Sequence, residues 1–379
     1  MIKVLFITDK LVFGGVESAL YDLIRLMDKS KFDITVFTLN TGGDWENKFV
    51  NSGIKVINSY SNLRPSKSLY GKAKNYITHK RIQKSLNNNY LGLLDIVTKS
   101  KYDILVLYNS NLVVEPISFS HVAQKRVRWI HCNVDNNGFF RDILLDSKEN
   151  LFVYDKFICV SNSVREAFVN SFGFDEKSVT CYNPIDYKSI IKRAAEDVGI
   201  DLSFDYICTV GRLATEKGYL RLTRIMKDII DLGINIKLII VGEGYERKNL
   251  EVLIDETHMQ DYVLLAGYQE NPYPFIKNSL FTVCSSFTEG MPVTSMESLC
   301  LGVPVVSAYG PVKELFGNEE CGVITENDDT SLRDGIIKML TDTQFYDKTL
   351  KASKRRSQYF SSHSSVREIE KQLIRVLSQ

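Results

Sequence analysis

"YICTVGR", residues 206–212, is a β-branched apolar run ending in glycine and arginine, past the midpoint of a 379-residue chain. It reads as a strand, and it starts a series over again. After it come "IKLIIVGEG" (236–244), "YVLLAG" (262–267), "LFTVCSS" (280–286), "VPVVSA" (303–308) and "GVITE" (322–326). Before it run "KVLFIT" (3–8), "DITVFTL" (33–39), "IKVIN" (54–58), "DILVLY" (103–108), "RVRWIH" (126–131), "KFICVS" (156–161) and "VTCYNP" (179–184). Continuous apolar strands parted by helical patterns indicate parallel sheets covered on both faces. Two such series predict an α/β chain of two Rossmann-like, doubly wound domains. The expected boundaries are 1–184 and 185–360, with the break near "NPIDYKS" (183–189), where Pro184 follows the last strand of the first series. Residues 361–379 are expected to form a C-terminal helix packing back on the first domain, with Ser365 and Glu368 as a capping box. Such domains bind ligands beyond the C-terminal ends of their strands, so the two are expected to face each other across a ligand-holding cleft.

The composition fits this reading. Hydrophobic residues are 44% of the chain and charged residues 25%, ordinary for a globular protein. Basic and acidic residues balance, 47 against 46, so the total points to no nucleic acid. Cys132, Cys159, Cys181, Cys208, Cys284, Cys300 and Cys321 form no CxxC pair. That spacing suggests reduced thiols in a cytoplasmic protein and argues against a disulfide framework or a zinc site. The opening "MIKVLFITDK" is too short for a signal sequence, and no uncharged apolar run reaches the ~18 residues of a membrane span.

Four stretches carry candidate chemistry. "DKLVFGGVESALYDLIRLM" (9–27) places Gly14 and Gly15 between a strand and a helix beginning near Val16. Paired glycines let backbone amides approach a phosphate, although the spacing is not GxGxxG. Glu17 reads equally as a first-turn acid on the helix dipole. "VGRLATEKG" (210–218) offers Arg212 and Lys217 at a strand-to-helix turn, a pair suited to a diphosphate, or else a solvated loop. "VGEGYERKNLE" (241–251) has a GxG that reads better as a tight turn than as a phosphate loop.

The most specific stretch is "SSFTEGMPVTSMESLCLGVPVVS" (285–307). Glu289 precedes a Gly290-Met291-Pro292 turn, and Pro292 suits the first position of a helix over 292–301. Met296, Leu299, Cys300 and Val303 form its apolar face. Glu297 lies four residues beyond Val293, about 40° around the helix and about 6 Å along it. One carboxylate, a row of free amides and a second carboxylate then follow one line. The amides attract an anion and the carboxylates accept from hydroxyls. A sugar, a diphosphate and a ribose would satisfy all three. The bland alternative is that Glu289 caps the helix and Glu297 is exposed.

Glu-x7-Glu with an internal Gly-x-Pro, preceded by Gly-Arg-Leu-x-x-Glu-Lys-Gly, resembles the retaining GT-B glycosyltransferases of family 4. The resemblance extends over nearly the whole chain. It implies transfer of a sugar from a nucleotide diphosphate sugar, UDP-sugar being favoured, to a glycan or lipid-linked glycan in surface polysaccharide or glycoconjugate synthesis. It also implies retention at the anomeric carbon, an acceptor-binding first domain and a donor-binding second one. No cofactor or obligate metal is implied, and no DxD motif stands near a strand end. By the resemblance Glu289 meets donor-sugar hydroxyls, and Glu297 the ribose. Arg212 and Lys217 match the diphosphate pair, Gly14 and Gly15 the glycine loop. Gly290, Met291, Pro292 and Val293 fall in the donor-binding turn. The backbone near Tyr268, in "AGYQENPYPFIKNS" (266–279), meets the base. His131, ending "RWIHCN" (128–133), matches a histidine near the donor sugar or reaction centre. A lone histidine is otherwise more often structural. Asp135, Asn136 and Asn137 follow it as candidates for the acceptor side. "VSNSVREAF" (160–168) reads only as a capping box of Ser163 and Glu166.

Two acids also serve glycoside hydrolases, but those need neither the glycine loop nor the cation pair. A GT-B sugar-nucleotide epimerase lacks the Glu-x7-Glu pattern. A non-catalytic sugar-nucleotide-binding subunit tends to lose the Arg, Lys and Glu residues kept here. Finally, no Asp or Glu occurs between Asn47 and Leu94, while Lys48, Lys55, Arg64, Lys67, Lys72, Lys74, Lys80, Arg81 and Lys84 do. Tyr60, Tyr70, Tyr76 and Tyr90 are interleaved. With no nucleic-acid motif alongside, this stretch reads as a solvated face or as a contact for the anionic cytoplasmic membrane surface.

Overall fold

The structure is a computed structural model that describes all residues except 13, 61–67, 88–91, 99, 110–120, 136, 147, 198, 363–364 and 379. The chain divides into two units, Met1–Pro184 with Ser365–Gln379, and Ile185–Ser364.

In the first unit seven strands form one parallel sheet. They are β1 (Ile2–Thr8), β2 (Phe32–Thr38), β3 (Lys55–Asn58), β4 (Tyr102–Leu107), β5 (Ala123–Ile130), β6 (Lys156–Cys159) and β7 (Ser178–Thr180), in the order β3-β2-β1-β4-β5-β6-β7. Val4, Leu5, Phe6 and Ile7 of β1 are all fully buried, as expected of a strand with helices on both faces. The second unit holds β8 (Tyr206–Val210), β9 (Lys237–Val241), β10 (Val263–Gly267), β11 (Thr282–Cys284), β12 (Val305–Ser307) and β13 (Gly322–Ile324). Their order is β10-β9-β8-β11-β12-β13, again all parallel. Each sheet starts in its middle and winds outward both ways. The reversal, where a doubly wound sheet opens a crevice, falls at β1/β4 and at β8/β11.

The closing helix Ser365–Leu377 buries Val366, Ile369, Leu373 and Val376. The Glu370 carboxylate accepts from the Asp28 amide at 2.7 Å, and Gln372 accepts from Lys156 Nζ at 3.4 Å. The expected capping box does not form. The Ser365 hydroxyl donates instead to the Asn183 carbonyl (3.3 Å), and Glu368 accepts from Gln372 (2.7 Å). The Ser163–Glu166 box is likewise replaced. Helix Asn162–Phe172 is capped by Ser161, whose hydroxyl accepts from the Val164 amide. Strand β6 ends early enough to give the cap to the first serine of the pair.

Candidate donor site

The β8/β11 reversal brings two distant loops together in the second unit. After β8 the chain runs through Gly211, Arg212 and a short 3-10 turn, Thr215–Lys217. Gly218 then caps helix Tyr219–Asp231 at φ +67°, and a Cβ there would sit 2.3 Å from the Ser285 carbonyl oxygen. Only glycine allows that backbone angle and approach together. After β11 the chain enters Ser285–Pro292 and then helix Val293–Cys300. The Ser285 hydroxyl donates to the Lys217 carbonyl at 2.8 Å, stitching the two loops.

Lys217 and Glu289, 72 positions apart in sequence, meet as an ion pair at 2.5 Å. The same carboxylate oxygen accepts from the Ser286 hydroxyl at 2.7 Å. The Tyr309 hydroxyl donates to the Glu289 carbonyl, so side chain and backbone of the acid are both held. Burial alone would depress the Lys217 ammonium. The charge and hydrogen bond of Glu289, together with Tyr219 and Cys284, outweigh it, and the pKa is raised above the lysine value. Lys217 therefore stays cationic at any physiological pH. Arg212 behaves differently: its guanidinium is half exposed and pairs with Glu216 at 3.1 Å. The Tyr245 hydroxyl accepts from the Thr215 amide at 3.0 Å, and Thr215 donates to Glu246 at 2.9 Å.

That second loop explains the other GxG. A Cβ on Gly242 would lie 1.9 Å from the Gly211 carbonyl oxygen. The Leu213 amide donates to the Glu243 carbonyl, and the Glu246 amide to the Leu213 carbonyl. The glycines let one loop press its backbone on the Arg212 loop and brace it.

Pro292 is not the first helical residue. It caps the helix with ψ 113°, outside helical space, and Val293 begins it. Gly290, Met291 and Pro292 are buried, and the cap position is held by Pro292 and not by Glu289. Glu297 is buried, at 9% exposure, and its Oε1 accepts from the Tyr273 hydroxyl at 3.3 Å. Exposed Glu297, the bland alternative, is therefore set aside. The helix is buried nearly all round: Ser295 and Ser298 are enclosed along with Met296, Leu299 and Cys300. Thr294 donates to the Val210 carbonyl at the end of β8 (2.9 Å). Tyr268 follows β10 with 40% exposure.

In the first unit Gly14 caps helix Gly15–Leu26 in extended geometry. Glu17 is buried and turns back over that terminus, since a Cβ on Gly14 would meet its Oε2 at 2.6 Å. His131 follows β5 and is buried between rings, 4.6 Å from Tyr108 and stacked at 6.2 Å on Trp129. Burial, with Arg128 adding to it and a bond to the Tyr108 backbone opposing it, pulls its pKa down to about 3. His131 is thus a neutral imidazole whose Nε2 has no hydrogen-bond partner among the described residues. Asn137 accepts from the Phe140 amide at 3.0 Å and so starts helix Gly138–Asp146. Asp135 is exposed, and Asn136 lies outside the described residues.

The buried histidine has a consequence for stability. The unfolded chain protonates it near pH 6.5, while the folded chain resists to about 3. Stability is therefore lost as pH falls through that window, by about 2 kcal/mol between pH 7 and pH 5. Urea unfolding of His131→Phe should lose that much less over the same interval. An unchanged pH dependence in the variant would contradict the neutral assignment.

Sequence reasoning missed Ser286, Tyr309 and Tyr273. A serine three residues before Glu289 offered a faint local signal. The two tyrosines offered none, because only strand order brings them to the acids.

A parallel sheet whose reversal joins a cation-bearing loop to an acid-bearing loop opens a ligand-binding crevice there. Residues 191–356 match the family described as Glycosyl transferases group 1, and residues 13–189 match Glycosyltransferase Family 4. The chain belongs to these glycosyltransferases, and its fold is GT-B. It is 32% identical over 213 residues to a Campylobacter jejuni N-acetylgalactosamine-N,N'-diacetylbacillosaminyl-diphospho-undecaprenol 4-alpha-N-acetylgalactosaminyltransferase, covering 55% of this chain and 57% of that one. It is 24% identical over 317 residues to the Escherichia coli lipopolysaccharide 1,6-galactosyltransferase, covering 78% and 76%. The chain spans a little over half the length, 57%, of the first two curated relatives it matches. Among solved structures, Anabaena HepE with UDP and glucose superposes with a TM-score of 0.75 at 19% identity, over 100% of both chains. S. aureus TarM superposes with 0.75 at 15% identity, also over 100% of both.

Proposed function

We propose that this protein transfers a sugar from a UDP-sugar to a lipid-linked glycan with retention of anomeric configuration. The observation that carries the reading is the meeting of Lys217 with Glu289 at the β8/β11 reversal, beside the amino end of the helix bearing Glu297. The roles then follow. Lys217 and Arg212 bind the diphosphate, and Lys217 neutralises the charge that grows on it as the sugar leaves. Glu289, held by Ser286 and Tyr309, accepts from donor-sugar hydroxyls. Glu297 accepts from the ribose, the turn at Tyr268 meets the base, and Gly14 and Gly15 keep the glycine-loop role that the resemblance implies. Neutral His131 presents a bare nitrogen that accepts from a sugar hydroxyl. No carboxylate is assigned as a covalent nucleophile, so the acceptor attacks on the face the diphosphate leaves, and the leaving phosphate takes its proton. UDP is favoured because structural neighbours hold it. A lipid-linked acceptor is favoured because a relative's name specifies an undecaprenol diphosphate.

The test is a panel of UDP-, GDP- and ADP-sugars incubated with the protein and a lipid-linked acceptor, scored for free nucleoside diphosphate. Release should require one donor and the acceptor together, and should survive EDTA. Release abolished by EDTA and restored by Mg²⁺ or Mn²⁺ would overturn the metal-independent part. No release from any donor would overturn the activity.

The basic stretch supports a membrane-bound acceptor. Among the described residues, helix Leu69–Asn87 exposes Lys72, Lys74, Lys80, Arg81 and Lys84 with no acid among them. Tyr70, Tyr76 and Ile77 are exposed on it at 79%, 64% and 60%. Arg64, Lys67 and Tyr90 lie outside the described residues. No helix among those described is long and apolar enough to cross a membrane. Cations with interleaved aromatic groups suit the surface of an anionic bilayer, at about 1 kcal/mol per cation near it. Replacing the five cations with Glu should abolish sedimentation with anionic vesicles and spare UDP binding. Wild-type protein that stays in the supernatant at low salt would remove the membrane from the account.

A further inference from the structure

We infer that Tyr273 is a positioning residue for the nucleotide: its hydroxyl sets the carboxylate of Glu297 and ties it to the turn before helix Tyr273–Lys277. The inference rests on reading Glu297 as the ribose acceptor. A carboxylate at 9% exposure needs a donor, and the Tyr273 hydroxyl supplies one to Oε1 at 3.3 Å. That is longer than the usual range of about 2.5–3.0 Å for an O–H donor, so the effect expected is a few-fold. A carboxylate has about four acceptor sites, so the Tyr273 bond does not by itself exhaust its capacity for a ribose hydroxyl.

The ring that carries this hydroxyl is itself held. The Arg193 guanidinium stands 5.1 Å over it. Arg193 also donates to the Glu270 carbonyl at 2.5 Å, and Asn271 donates back to the Arg193 carbonyl at 2.8 Å. Glu270 and Asn271 belong to the turn between β10 and Tyr273, the one assigned to the base. Tyr273 is 9% exposed and packs with Ile190, Ile276, Cys300, Leu301 and Val303. A side chain of two torsions, clamped at its root and stacked on its face, transmits the position of that turn to Glu297. Base contact and ribose contact then share one rigid link.

Calorimetry with UDP and with 2′,3′-dideoxy-UDP on wild type, Tyr273→Phe, Glu297→Ala and the double variant tests this. Tyr273→Phe should weaken UDP roughly three- to tenfold and leave the dideoxy analogue unchanged. The double variant should bind UDP no more weakly than Glu297→Ala alone. In turnover, Tyr273→Phe should raise the donor KM and keep kcat. Equal losses for UDP and the dideoxy analogue would reduce Tyr273 to a packing residue and overturn the inference. Wild-type UDP binding by Tyr273→Phe, with Glu297→Ala impaired, would overturn the inference and leave the ribose role standing. Wild-type binding by Glu297→Ala would overturn the ribose role itself.

Discussion

Lys217→Ala is expected to lower turnover by at least ~10²-fold, because in the proposed mechanism it removes a fixed cation from the place where leaving-group charge grows. The environment makes the loss severe. Lys217 is three-quarters enclosed and paired at 2.5 Å with Glu289, so its deletion also leaves that carboxylate without its cation. Arg212→Ala should fall in the same direction. Its side chain is half exposed and tied to Glu216, and the smaller of the two losses is expected there. Steady-state rates on a UDP-sugar decide it. Normal turnover by both variants would rule out the phosphate clamp.

Glu297→Ala is expected to weaken UDP binding by about 1–3 kcal/mol, roughly ten- to a hundredfold, because a ribose contact to a buried acceptor is lost. Glu289→Ala should leave UDP affinity nearly intact and reduce turnover, since in the proposed reading this acid, held by Lys217, Ser286 and Tyr309, meets the donor sugar and not the nucleoside. The acids are eight positions apart in sequence, yet they have different neighbours, and the two variants should separate binding from catalysis. Equal loss of UDP affinity in both would break the division of roles.

Most of the fold was legible. Buried parallel strands must be apolar throughout, and runs such as "KVLFIT" and "IKLIIVG" have that signature; β1 and β9 lie on them. Helix boundaries were less so. Ser161 and Ser163 are both plausible caps by type, and the choice depends on where β6 stops, which pairing with its neighbours sets. Pro292 fits a first helical residue as well as a cap, since its φ of −64° serves both and only ψ distinguishes them. In the site, the residue types were legible and their partners were not. The sequence places Lys217 next to Glu216, yet Glu216 holds Arg212, and Lys217 reaches Glu289 across the β8/β11 reversal. Tyr309 and Tyr273 support the acids from separate elements, and no local spacing encodes that.

The central claim is retaining transfer from a nucleotide sugar, and following one reaction by proton NMR tests it most directly. With an α-configured UDP-sugar and a lipid-linked acceptor, the account predicts that free UDP and an α-linked product appear together. A β-linked product, or free sugar formed at the same rate without acceptor, would contradict it.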